Sequence, residues 1–420
     1  MSASSAGSTK QEPGLGTKAF AILQRIGKSL MLPIAVLPAA GILLRLGQPD
    51  LLGGVGESGP DIGDGPFSIL SYAGGAIFDN LALLFAIGVA IGFAKKSDGS
   101  TGLAAVAAYV VFKGVLNFTS FDTNPDPEVF AAPDPGVFGG ITIGITTAML
   151  WQKYHRTKLP TALAFFSGRR LVPMLAATAA IVWAIAFGFF WPPIGEALND
   201  MAEWMYDNGE LGAGVFGVVN RLLIPTGLHH IINSFVWFQA GECPTATESG
   251  FTNGDLNCFF NATEDREKYG LFMTGFFPIM MFALPAAAFA LMHEAKDKVA
   301  ASVLPAAALT AFLTGITEPR EFSFMFVAPL LYGVHALLTG ASMALSYGLG
   351  ARDGFGFSAG LFDFVLNWGL ATKPWLLIVI GLGMGALYYF LFRFAIRKFN
   401  LRTPGNEEDA EAMDEQMTAA

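Results

Sequence analysis

The chain has 420 residues, 53% of them hydrophobic and only 14% charged. Soluble domains carry about 25% charged residues, so the composition excludes a soluble fold and indicates a polytopic membrane protein. The net charge of −9 argues against a nucleic-acid partner.

In chain order, residues 1–16 are Ser/Gly-rich and read as a disordered tail. Residues 17–28 set Phe20, Ile22, Leu23 and Ile26 among Lys18, Arg25 and Lys28, the pattern of a short interfacial helix. A membrane crossing needs about 20 apolar residues. Stretches of that kind lie at 29–47, 72–94, 102–118, 136–151, 172–193, 211–238, 271–292, 299–318, 323–349 and 374–396. The expected fold is an all-α polytopic membrane protein with about ten transmembrane helices, and the Pro and Gly interruptions suggest re-entrant hairpins. Residues 403–420 read as an acidic disordered tail, with Glu407, Glu408, Asp409, Glu411, Asp414 and Glu415 following the last basic residue, Arg402.

Loop charges give the orientation of the first half, because cytoplasmic loops are enriched in Lys and Arg. Residues 48–94 hold no Lys or Arg, whereas Lys95 and Lys96 open the next connection. Residues 115–135 again lack them, and 152–170 hold Lys153, Arg156, Lys158, Arg169 and Arg170. The N-terminus is therefore expected in the cytoplasm, and with ten spans the basic end at Arg393, Arg397, Lys398 and Arg402 falls there too. Lys296 and Lys298 conflict with a plain count of ten, and a re-entrant hairpin between 220 and 270 or a miscounted span would remove the conflict. The character changes near residue 200: few central ionisable groups precede it, and Arg221, His229, His230 and Glu318 follow it at membrane depth. Residues 17–200 are expected to form a scaffold half and 201–402 a substrate-transport half.

Two interrupted stretches could carry chemistry. In Asn220-Arg221-Leu222-Leu223-Ile224-Pro225-Thr226-Gly227-Leu228-His229-His230, Pro225 removes the hydrogen bond to the carbonyl of residue 221 and Gly227 lets the chain turn. In Thr314-Gly315-Ile316-Thr317-Glu318-Pro319-Arg320-Glu321-Phe322, a carboxylate sits between two very apolar runs. An ionisable group at membrane depth costs roughly 2.5–3.5 kcal/mol on insertion scales and usually marks a solute path. Paired broken segments point to a transporter's binding site. Arg221, His229 and Glu318 are expected to converge on a neutral polar ligand such as a sugar. The alternative is a buried Arg221–Glu318 ion pair with His229 a satisfied core histidine. Asp79 and Asn80, early in the second span, could line a sugar path or cap a helix. Glu318 could also be a cap, with Pro319 at the first helical position. His293 and His335 read as structural or exposed. Cys243 and Cys258 have no metal-ligand spacing and read as ordinary thiols, since a disulfide would require their loop to face outside. No Walker loop, Rossmann fingerprint, zinc spacing or nucleophile elbow occurs, and no cofactor or metal is expected.

Gly315-Ile316-Thr317-Glu318-Pro319 followed by Glu321-Phe322-Ser323-Phe324-Met325-Phe326 resembles the signature of the membrane (IIC) component of the bacterial sugar phosphotransferase system, glucose superfamily. Residues 32–38, 73–80, 220–229, 275–282 and 399–405 match it too, with Asn233 and 237–242 extending the third. Pro225-Thr226-Gly227-Leu228-His229 with Trp237-Phe238-Gln239 looks most like the N-acetylglucosamine branch. The resemblance implies a homodimer in the lipid bilayer, with the N-terminal half forming the dimer contact. It also implies a sugar phosphorylated at its 6-hydroxyl by a phosphocysteine on a IIB domain, itself fed by upstream IIA and HPr phosphocarriers. Glu318 would accept a hydrogen bond from the 6-hydroxyl and help activate it. Thr317 and His229 would hold other hydroxyls, Arg221 would do so or fix Glu318, and Asn233 belongs to the same matching stretch. No cysteine follows Cys258, so a separate IIB protein is expected. Arg320 departs from the pattern, in which an apolar residue is usual after Glu-Pro. Glucose or glucosamine transport by the same machinery, or a non-phosphorylating facilitator or sensor, are the alternatives.

Overall fold

The computed structural model describes residues 25, 29–30, 32–48, 50–53, 65–119, 135–226, 228–245, 251–295, 302, 304–317 and 328–399. Both expected tails lie outside the described residues, as do most of 17–28, Glu318, Arg320, Lys296 and Lys298. The described chain is mostly helical. Among the described residues four helices are long and apolar enough to cross a membrane, or five if one bent pair counts as a single span. The protein is a multi-pass membrane protein.

The first half begins with α1 (Leu37–Leu46), which takes Pro38 in its first turn, where a missing N–H leaves no bond unmade. α2 (Ile69–Asp79) runs back along it, Gly47 against Ser71 and Gly74 against Leu44. After a 55° bend, α3 (Leu81–Phe93) carries the chain on. α4 (Gly99–Thr119), α5 (Gly136–Tyr154) and α6 (Leu171–Asp207) complete this half, with α3 packed on α5 and α4 on α6. Aromatic rings hold it together: Phe112 meets Phe187 edge-on at 5.3 Å and Phe138 stacks on Trp191 at 5.4 Å. All five apolar stretches expected before residue 200 are helical. The fifth is longer than its apolar part: α6 has 37 residues, about 55 Å at 1.5 Å per residue, well beyond a hydrocarbon core of about 30 Å.

The second half corrects the expectation that 211–238 is one span. α7 (Gly209–Leu223) ends in a tight turn at Ile224–Thr226, and α8 (His229–Phe238) then runs back. Both outer ends meet the end of α6: Gly209 follows it directly, and Gly241, just past α8, packs on the Tyr206 ring. The physical reason is Pro225, which cannot donate to the carbonyl of Arg221 and so ends the α-helical ladder there.

The second correction concerns the cysteines. β1 (Glu242–Pro244) pairs antiparallel with β2 (Phe251–Asn253), and α9 (Asp255–Asn261) folds onto this hairpin. Gly254, at φ +94°, makes the turn between β2 and α9. Cys243 and Cys258 are thereby brought to a Cα separation of 5.7 Å and are disulfide-bonded, not free thiols. Asp255 accepts N–H bonds from Gly270 at 2.8 Å and Phe272 at 2.9 Å and the Tyr206 hydroxyl at 3.3 Å. Its burial pushes its carboxyl up to about 6.

From Gly270 the chain crosses to the opposite end through a π-turn at Pro278–Ala283 and α10 (Leu284–Glu294). There Glu294 accepts from Arg393 at 2.6 Å and Arg397 at 2.8 Å. α11 (Leu304–Thr314) stops at Gly315, whose φ of +73° only glycine adopts readily, and Ser358 Oγ donates to the Gly315 carbonyl at 2.9 Å. α12 (Pro329–Gly348) returns antiparallel to α7, α13 (Leu361–Leu366) is short, and α14 (Pro374–Phe399) closes the bundle against α10. Among the described residues, one buried apolar cluster is built before residue 200 and two after it.

Candidate functional site

The reversal between α7 and α8 leaves backbone groups and polar side chains inside an apolar bundle, so each needs a partner. Ile224 N–H and the Tyr332 hydroxyl both donate to the Arg221 carbonyl. Across the reversal, Asn220 Nδ2 donates to Asn233 Oδ1 at 2.5 Å, tying α7 to α8. The Arg221 side chain is 2% exposed, and its guanidinium carbon lies 4.8 Å from the centroid of the Phe276 ring. That is cation–π distance, a contact that strengthens where water is excluded. His229 is buried at the start of α8, its ring centroid 3.8 Å from that of His230. Arg221, His229 and Asn233 therefore belong to one buried unit.

Thr317, two residues past the Gly315 turn, is 3% exposed. Asp79 and Asn80 lie elsewhere, exposed at the α2–α3 bend and not early in a straight span. Asn80 Nδ2 donates to the Ala76 carbonyl at 2.9 Å, so its cap closes the end of α2 and not the start of α3. Glu318 lies outside the described residues.

Between the two halves is a cavity of about 50 Å³. Leu37, Phe78, Leu81 and Phe85 line one side; His230, Asn233, Ser234 and Trp237 line the other, with Phe357 against them. Asn233 thus faces the residues on both sides of the Asp79–Asn80 bend. Phe85 and Phe357 were not legible as site residues. Phe85 sits in an apolar run, and Phe357 in the glycine-rich connection 350–360, where no periodicity marks a face. Tyr332 has no sequence signal either. Trp237 falls within the 237–242 motif, but an apolar indole in an apolar run has no polar signature that marks a site.

The fold and this cluster define a multi-pass membrane protein whose polar side chains gather at helix breaks inside the apolar bundle. The chain belongs to the phosphotransferase system EIIC family, whose profile matches residues 27–340. It is 50% identical over 406 residues to the N-acetylglucosamine-specific EIIC component of Streptomyces coelicolor, covering 95% of this chain and 96% of that protein. It is 47% identical to the N-acetylglucosamine-specific EIICB component of Bacillus subtilis, covering 94% and 82%. With the N-acetylglucosamine-specific EIICBA component of Escherichia coli it shares 44%, covering 92% of this chain but 56% of that longer protein. The crystal structure of the transporter ChbC, the IIC component of the N,N'-diacetylchitobiose-specific system, superposes with a TM-score of 0.55 over 92% of this chain and 96% of that one. At 15% identity it shares the fold.

Proposed function

We propose that this chain is the sugar permease of a phosphotransferase system, moving N-acetylglucosamine across the cytoplasmic membrane coupled to its 6-phosphorylation by a IIB protein or domain. The observation that carries the reading is the proline reversal that buries Arg221, His229 and Asn233 together, in a chain half identical to a protein named for that sugar. The relatives named EIICB and EIICBA support a IIB partner, fused or separate.

The ten apolar stretches are membrane segments of which 211–238 and 299–318 are re-entrant, leaving eight crossings, with residues 17–200 as scaffold and dimer contact and 201–402 as transport unit. Both termini are cytoplasmic. Two features support this orientation. Arg169, Arg170, Arg393, Arg397 and Lys398 flank helix ends far from Tyr206, whereas the disulfide lies beside Tyr206, suiting the oxidising side. α10 ends at Glu294, which pairs with Arg393 and Arg397, and a cytoplasmic position for that end accords with the basic character of Lys296 and Lys298 in the sequence.

Glu318 accepts a hydrogen bond and then the proton from the sugar 6-hydroxyl, whose oxygen forms the new O–P bond to the phosphorus of the IIB phosphocysteine as the S–P bond breaks and the cysteine leaves as its thiolate. Arg221, His229, Thr317 and Asn233 hold the sugar or the carboxylate, and Asp79 and Asn80 line the approach beside Phe78 and Leu81. Glu318→Gln keeps the shape and removes the charge. In membranes supplied with a phosphorylated IIB protein, it is expected to lower N-acetylglucosamine phosphorylation by about 10²–10⁴-fold. Undiminished phosphorylation would remove Glu318 from this role.

A further inference from the structure

The Arg221 carbonyl is the acceptor that a continuous helix would pair with the amide of residue 225. Residue 225 is proline and has no amide hydrogen. The Tyr332 hydroxyl donates to that carbonyl from α12, 111 residues further on. Tyr332 is itself held. It is 5% exposed, and its ring lies 5.9 Å from His335, one turn along α12. His335 Nδ1 and the Tyr388 hydroxyl of α14 share a hydrogen bond at 2.9 Å, and both side chains are fully buried. A chain of buried polar groups thus runs from α14 through α12 to the point where α7 breaks.

We propose that Tyr332 is a positioning residue for sugar binding: its hydroxyl replaces the donor that Pro225 lacks and so fixes the backbone on which Arg221 is mounted. The inference rests on Arg221 and His229 serving the sugar, as proposed above. Without the hydroxyl, this buried carbonyl loses its link to α12, and with it the turn that separates Arg221 from His229 loses that tie. Because α12 is the helix that follows the 314–322 stretch in sequence, the same bond sets one broken segment against the helix leading out of the other.

Tyr332→Phe removes the hydroxyl and keeps the ring. With a IIB donor present, its KM for N-acetylglucosamine is expected to rise about tenfold, with the maximal phosphorylation rate within a factor of two of the parent. A purely structural role would lower yield or Tm without moving KM. An unchanged KM in Tyr332→Phe overturns the proposal. Hydrogen exchange of a peptide covering 221–232 gives a readout that needs no sugar: faster exchange in Tyr332→Phe is expected, and unchanged exchange overturns the proposal too. If the parent protein neither binds nor phosphorylates the sugar, the functional reading fails while the exchange result still judges the bond.

Discussion

The bend at Asn80 and the break at Pro225 both interrupt an apolar helix beside polar side chains, yet only the second turns the chain back on itself. At Asn80 the side chain takes the Ala76 carbonyl, the chain bends by 55°, and Asp79 and Asn80 stay at the surface. At Pro225 the donor is missing from the backbone itself, the chain reverses, and partners must come from distant elements. The difference lies in who satisfies the broken ladder. A local cap costs little and commits nothing else, whereas a reversal recruits Tyr332 and the Asn220–Asn233 tie and leaves ionisable groups buried between them. The second arrangement is the one suited to binding a polar solute.

That contrast can be broken most directly at Arg221. Arg221→Met keeps much of the length and removes the charge and its contact with Phe276, and uptake is expected to fall about 100-fold or more, the scale of roughly 3 kcal/mol for losing a buried charged partner. A loss below tenfold would make the Pro225 break no more functional than the bend at Asn80.

The return limb of the reversal is anchored by the disulfide-bonded hairpin, so Cys243→Ala/Cys258→Ala tests what holds α8 in place. The bridge closes a loop of 15 residues, worth about 3 kcal/mol in the chain-entropy account. Residues 242–262 are expected to become the first site of limited proteolysis, and unchanged protection would show that the hairpin does not depend on the bridge.

Asp255 supplies a pH test of the same anchor. Its carboxyl is raised from 3.8 to about 6 by burial, so the folded loop binds the proton more tightly than the unfolded chain. The stabilisation is fully present below about pH 4 and is lost as pH rises through about 6, an effect on the order of 2–3 kcal/mol. Protection of the hairpin from hydrogen exchange, corrected for intrinsic rates, is expected to fall between pH 4.5 and 7. Asp255→Asn should flatten that dependence.

The smallest effect is expected at the bend. Asn80→Ala removes one exposed cap, and a change in KM of less than about fivefold is expected. A larger loss would mean that Asn80 touches the sugar directly, and the two breaks would then be functionally alike.

Much of this architecture was legible because it is local. Apolar runs of helical length locate the helices of the first half, and Pro225 and Gly315 mark where α7 and α11 stop. What stayed hidden depends on pairing between distant residues. The spacing of Cys243 and Cys258 does not announce a disulfide; the β1–β2 hairpin and the turn at Gly254 bring them together. The direction of α8 was ambiguous, since an apolar run reads the same whether it continues or returns. Asp363, in the short α13, follows a glycine-rich connection without periodicity; it accepts the Gly356 N–H at 2.8 Å and holds the loop that carries Phe357 to the cavity. Arg45, at the end of the first apolar stretch, has nothing in its sequence context that marks it, yet it is buried, pairs with Asp50 at 2.6 Å and donates to the Leu366 carbonyl at 2.8 Å, joining the two halves.

The central claim is tested most directly by sugar uptake into membrane vesicles containing this protein and a phosphorylated IIB protein, with labelled N-acetylglucosamine and glucose in competition. The account predicts that N-acetylglucosamine accumulates inside as its 6-phosphate and that a tenfold excess of glucose barely slows it. Accumulation of the free sugar, or displacement by equimolar glucose, would contradict it.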